Sequence, residues 1–265
     1  MAKFEALEQS CSRRIHIGRY LTEFLFRGPL NYEVSEDTGG ILKAEDALSS
    51  GDGLVIGLPH FSKRDGLIYG TYALHFAKLR NVPLVLPMAL HQFKDFEPAM
   101  HMLERICDGV VCPIVIDDTV QQEKYKELSQ GQGMREYLRV ASEAIKSGGI
   151  VAISLQGGRK AFLGEPVPAL STLLAFLHRR SIQNFAVHFA GITPAQTVEP
   201  SAFEELKGWN LGVSYIVKPG NTYSFGELNR QFDFNSKDSL KPINAWGYRE
   251  LAKLVQPSYC GTYGP

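Results

Sequence analysis

Residues 53–70 read GLVIGLPHFSKRDGLIYG. An apolar run, Leu54 to Leu58, stops at Pro59; His60 follows, and Asp65 comes five residues later. An imidazole at the exit of a buried strand, with a carboxylate at the start of the next helix, can act as a proton acceptor. A carboxylate on one ring nitrogen fixes the tautomer and leaves the other nitrogen as a base. That base can take a proton from a hydroxyl as the oxygen attacks an acyl carbonyl. The same residues fit a plainer arrangement, with Asp65 as a helix N-cap and His60 as a hydrogen-bonded strand-end residue.

A second cluster lies in AISLQGGRKAF, residues 152–162. Another apolar run ends at Leu155, and Gln156, Gly157, Gly158, Arg159 and Lys160 follow. The glycines let backbone approach a ligand closely, and their amides can form an anion-binding nest. Arg159 can grip a phosphate or carboxylate with two parallel hydrogen bonds. A tight turn with solvated basic residues is the alternative reading. Gly-x-Ser-x-Gly, Gly-x-x-x-x-Gly-Lys and strand-following Gly-x-Gly-x-x-Gly patterns are absent.

The elements that must carry these residues alternate along the chain. Buried strands are predicted at 53–58, 82–90, 109–117, 149–155, 184–192 and 211–218, and helices at 65–79, 94–106, 134–147, 169–180 and 245–255. Near-continuous apolar strands alternating with helices predict an α/β fold, a mostly parallel central sheet with helices on both faces. Ligands bind at the C-terminal ends of strands in such sheets, where both clusters fall. Residues 117–133 read as a polar edge loop. Residues 4–26 carry an amphipathic helical pattern, with Phe4, Leu7, Cys11, Ile15, Gly18, Leu21 and Leu25 on one face and Arg13, Arg14 and Arg19 on the other. This helix either packs on its own domain or lies on a membrane surface. The expected division is an N-terminal helical segment, 1–34, and one α/β domain, 35–265.

Bulk composition narrows the classes. The 265 residues carry 28 basic and 28 acidic side chains, so nothing in the net charge draws the chain to nucleic acid. The four cysteines form no Cys-x-x-Cys pair and no His cluster has zinc spacing, so neither structural zinc nor another metal is expected. The thiols fit a reduced, cytoplasmic setting. The N-terminus lacks the continuous apolar core of a signal peptide, and no uninterrupted apolar stretch is long enough to span a bilayer.

Taken together, the motifs resemble the glycerolipid acyltransferase family, which includes lysophosphatidic acid and glycerol-3-phosphate acyltransferases. That family's Asn-His-x-x-x-x-Asp block is matched by Pro59-His60, FSKR and Asp65. Its Phe-Pro-Glu-Gly-Thr-Arg block is matched by SLQGGR, with Gln156 for Glu, Gly158 for Thr and Arg159 for Arg. NFAVHFAG resembles its Val-Pro-Val-type strand with Ala186 in the Pro place, and LAKLVQPSYCGTY resembles its Tyr-containing tail. The order holds over residues 53–263. The resemblance implies acyl transfer from acyl-coenzyme A or acyl-carrier protein, as co-substrate rather than bound cofactor, to a hydroxyl of a lysophospholipid- or glycerol-phosphate-like acceptor. His60 would be the general base and Asp65 its orienting partner. Gln156, Gly157, Gly158 and Arg159 would bind the acceptor.

The sequence departs from the family at Pro59 and Gln156, and has Asp117 and Asp118 where an Arg is usual. Lys63, Arg64 and Lys160 could supply replacement positive charge. The implied partners are an acyl thioester donor, an acyl carrier protein, a lipid-like acceptor and the inner membrane surface. A thioester or lysolipid hydrolase, and a lipid-binding protein without catalysis, are the competing readings.

Overall fold

The computed structural model describes residues 31–36, 39–62, 65–80, 82–95, 97, 101, 104, 109–116, 119, 122–158, 160–195, 213–235, 238 and 240–264. The expected N-terminal helix, most of the expected helix at 94–106, Lys63, Arg64, Asp117, Asp118 and Arg159 lie outside these residues. Seven strands form one sheet: β1 (Tyr32–Val34), β2 (Gly53–Leu58), β3 (Leu84–Ala89), β4 (Gly109–Ile114), β5 (Ile150–Ser154), β6 (Phe185–Pro194) and β7 (Tyr215–Ser224). Their spatial order is β1-β7-β6-β2-β5-β3-β4. The strands from β6 to β4 run parallel; β7 is antiparallel to β6, and β1 runs with β7. The α/β fold expected from the alternating apolar runs is the fold observed. The sheet begins at Tyr32, within the segment assigned to the N-terminal unit.

All six residues of β2 and all ten of β6 are buried. This is why the sequence reads as apolar runs rather than alternation: a parallel strand covered on both faces has no solvent side. The helices are α1 (Gly40–Ser49), α2 (Asp65–Arg80), α3 (Leu90–Asp95), α4 (Met134–Lys146), α5 (Ala169–Arg179), α6 (Phe225–Gln231) and α7 (Leu240–Ala252). Helices α1 and α2 touch each other, and α2 packs on β3 and β5; α4, α5 and α7 touch in succession against β2 to β7. Right-handed crossovers account for the split. The chain moves from β2 to β3 in one direction and from β4 to β5 to β6 in the other, which places the connecting helices on opposite faces. Helix α4 buries Tyr137, Leu138, Val140, Ala141, Ala144 and Ile145, and α5 buries Leu170, Leu173, Leu174 and Leu177, the stripes their spacing predicts.

The consequence for function is topological. Strands β2 and β5 are neighbours at the centre, and their continuations leave in opposite directions, β2 toward β3 and β5 toward β6. A reversal of this kind opens a crevice at the C-terminal strand ends. His60 and the 156–160 segment follow those two strands.

Candidate active site

His60 sits two residues beyond β2, with its side chain 16% exposed. Asp65, the first residue of α2, is fully buried. Its Oδ2 lies 3.7 Å from His60 Nδ1. That separation is an ion-pair contact and too long for a hydrogen bond. The Asp65 carboxylate turns back over the loop rather than capping the helix. Oδ2 accepts from the Phe61 and Ser62 amides at 2.5 and 2.7 Å, and Oδ1 accepts from Ser62 Oγ at 2.6 Å. Ser62 Oγ in turn accepts from the Tyr215 hydroxyl at 3.0 Å, from the first residue of β7. A buried carboxylate needs such donors to remain charged away from water.

The His60 ring is therefore sided. Nδ1 is buried, faces Asp65 and has no hydrogen-bond partner. Nε2 is the nitrogen left on the open side. Tyr69 completes this wall: its ring centroid is 5.7 Å from that of His60, and its hydroxyl is buried without a partner. Burial, and then the Asp65 charge, hold the Tyr69 hydroxyl well above the ordinary phenol range, so it stays protonated and can only donate here or accept through its lone pairs.

The second cluster is tied to the first by its backbone. Leu155 N–H donates to Leu58 O at 2.9 Å, continuing the sheet past β5. His60 N–H donates to Gln156 Oε1 at 2.5 Å, and Lys160 N–H donates to His60 O at 2.9 Å. Gln156 is 2% exposed, and its Nε2 donates to Phe162 O at 3.1 Å. The sequence reading placed Gln156 on the substrate; the structure places its amide on the main chain of His60 and Phe162. Gly157 adopts a left-handed backbone, φ 68°, which reverses the chain after Gln156 and favours glycine there. Its amide points to Ser154 O at 3.4 Å, so one of the two amides of the expected anion nest already faces a carbonyl. Gly158 is half-buried and Lys160 is exposed.

The C-terminal tail closes the back of the site. Leu163 N–H donates to Tyr259 O at 2.8 Å, and the Phe61 and Tyr259 rings pack with centroids 5.0 Å apart. Burial, then the nearby Tyr215 and Asp65, push the Tyr259 hydroxyl above its ordinary range. Gly261, at φ 56°, lies so close to Leu163 O that a Cβ would sit 2.1 Å from it. Tyr69, Ser62, Tyr215 and Tyr259 are thus site residues that the motif reading missed. Tyr69 was detectable, being one helical turn beyond Asp65 on the same face. Tyr215 is joined to Ser62 across 153 residues, and no local pattern marks it.

Among the described residues no group of three or more His, Cys, Asp or Glu could hold a metal ion, and no helix is long and apolar enough to cross a membrane. No family model matches the chain, and no curated protein matches it.

Proposed function

We propose that this protein is an O-acyltransferase that moves a fatty acyl group from a thioester, acyl-coenzyme A or acyl-carrier protein, to a hydroxyl of a lysophospholipid- or glycerol-phosphate-like acceptor. The observation that carries the reading is the sidedness of His60. One ring nitrogen is turned to a buried, hydrogen-bonded Asp65 and the other to the open side, at the reversal point of the sheet. The ordered motif resemblance supports it.

His60 Nε2 takes the proton of the acceptor hydroxyl as its oxygen bonds to the thioester carbonyl carbon. The tetrahedral intermediate then expels the thiolate by breaking the C–S bond, and His60 returns the proton to the leaving sulfur. No covalent acyl-enzyme is needed, since the hydroxyl itself is the nucleophile. Asp65 stabilises the positive charge that develops on the ring, at a distance where it acts by field rather than by a hydrogen bond. Arg159 and Lys63 are proposed to hold the anionic part of the acceptor, together with Lys160 and the Gly157-Gly158 backbone. The proposed setting is the cytoplasm, with contact at the inner membrane surface where such acceptors reside.

The test is a product analysis by mass spectrometry with palmitoyl-coenzyme A and palmitoyl-acyl carrier protein against glycerol phosphate, lysophospholipids and polyols. An acylated acceptor is the expected result. Free fatty acid as sole product would replace transfer with hydrolysis. Acyl-chain binding without any turnover would leave a lipid-binding protein.

A further inference from the structure

We propose that Gln156 is a positioning residue for His60 and does not bind substrate; the inference rests on the reading of His60 as the general base. The Gln156 amide lies between one donor and one acceptor of the main chain. His60 N–H needs an acceptor and Phe162 O needs a donor, so the orientation of the amide is forced. Both bonds lie in a 2% exposed position, where an unmade hydrogen bond is costly. Strand pairing does not supply the first bond. Alternate residues of β2 face β5, so after Leu58, whose O accepts from Leu155 N–H, the next donor on that side is His60 N–H, while the next carbonyl of the ladder, Leu155 O, accepts from the Tyr248 hydroxyl at 3.2 Å. Gln156 Oε1 meets His60 N–H in place of a backbone carbonyl.

Lys160 N–H on His60 O then fixes the other side of the same residue. The post-β5 segment therefore clamps the His60 main chain before and after its Cα. Phe162, held by the far end of the Gln156 amide, is followed by Leu163, which is bonded to Tyr259. The direction in which the imidazole leaves the backbone is set through this clamp. A base displaced by about 1 Å loses on the order of a hundredfold in rate.

Gln and Glu differ here in a way that can be measured. A carboxylate at this position still accepts from His60 N–H but opposes Phe162 O, acceptor against acceptor. Alanine removes both bonds. The experiment compares wild type, Gln156→Glu and Gln156→Ala by two readouts. One is the chemical shift of the His60 amide and ring nitrogens in the free protein. The other is kcat and KM for the acceptor.

The expected result is a large change in the His60 amide and ring signals in Gln156→Ala, with partial recovery in Gln156→Glu. In parallel, kcat should fall about tenfold to a hundredfold in Gln156→Ala while acceptor KM moves less than about threefold. If Gln156→Ala does not fold, Gln156→Glu carries the test, with its intermediate shifts and kcat. His60 signals indifferent to both substitutions would overturn the clamp whether or not the protein turns over substrate. A raised KM at wild-type kcat would return Gln156 to the acceptor site. Absence of turnover in wild type overturns the acyltransferase reading instead, and is told apart from the other two by the intact wild-type His60 signals.

Discussion

The Asp65 carboxylate approaches His60 Nδ1 to 3.7 Å while holding three shorter hydrogen bonds from Phe61 and Ser62. The carboxylate is thus fixed by the loop that carries His60, not by His60. Its charge is the only thing it offers the ring at this distance. Asp65→Asn isolates that charge. With the amide oxygen kept toward the Phe61 and Ser62 N–H groups, the new NH2 faces Ser62 Oγ, which can accept. We expect the variant to fold with a loss of no more than about 2 kcal/mol and to lose about a hundredfold or more in kcat. Urea unfolding and steady-state kinetics on the same preparation check both halves. Full activity in the folded variant would mean that the charge is not used.

Tyr69 makes the opposite prediction for stability. Its buried hydroxyl has no partner, and an unsatisfied polar group of that kind costs about 1–3 kcal/mol. Tyr69→Phe removes it without changing the ring that packs beside His60. The variant should be at least as stable as wild type by thermal unfolding and should lose activity. A group that costs stability beside a base is kept for what it does there. A destabilised Tyr69→Phe would show that the hydroxyl is satisfied in solution.

His188 is the histidine that should not matter for chemistry. It is fully buried on β6, with Nε2 2.8 Å from the Tyr72 hydroxyl and Nδ1 2.8 Å from Thr222 Oγ1. Thr222 gives its single proton to Gly40 O at 2.7 Å. Its oxygen must therefore accept from His188 Nδ1–H, and Tyr72 must donate to Nε2. His188 pairs with Ile56 in the sheet, and His60 is four residues further along that chain, about 13 Å at strand rise. His188→Leu should cost about 3 kcal/mol by leaving Tyr72 and Thr222 without this partner, with kcat within about threefold of wild type. Loss of activity without loss of stability would contradict the separation.

Acid stability should register one surface pair. Lys43 on α1 bonds Glu227 on α6 at 2.9 Å, and the Ser224 amide bonds the same carboxylate. Lys43 first, then Ser224, hold the Glu227 carboxyl down at about 2. A carboxyl depressed on folding adds stability above its unfolded value and loses it as pH falls toward the folded one. The Glu227 contribution should therefore be present at neutral pH and fade between about pH 4.5 and 2. Glu227→Gln keeps a side chain able to close the capping box with Ser224. Wild type should exceed it by less than about 1 kcal/mol at pH 7, because the pair is exposed, and by nothing near pH 2. A pH-independent difference in urea unfolding would contradict this.

The fold was legible where burial is two-sided. Runs such as Leu54–Leu58 and Ile150–Ile153 have no polar face to confuse their reading, and Gly or Pro bounds them. Legibility failed at short elements. Helix α1 buries only Gly40, Ala44 and Leu48, one residue per turn with a single large apolar side chain among them, and β1 has three residues paired to one edge. Strand β7 was expected to stop at Lys218, since Pro219-Gly220-Asn221 has the composition of a turn. It continues to Ser224 because the pairing shifts register between His188 and Ala190, with Pro219 opposite Ala190. An irregular ladder tolerates a residue without an N–H. At the site, His60 and Asp65 could be found from spacing within one loop. The bonds from Tyr215 to Ser62 and from His60 to Gln156 depend on which strands become neighbours, and sequence spacing does not carry that.

The central claim is that the Nε2 side of His60 is the base. The most direct measurement is kcat/KM for acyl transfer by wild type and His60→Ala, on the acceptor that wild type uses best, with circular dichroism and unfolding curves on both proteins. General-base catalysis by His60 predicts a folded variant with kcat/KM reduced by about a hundredfold to ten-thousandfold. A folded His60→Ala protein that transfers acyl groups at the wild-type rate would contradict it.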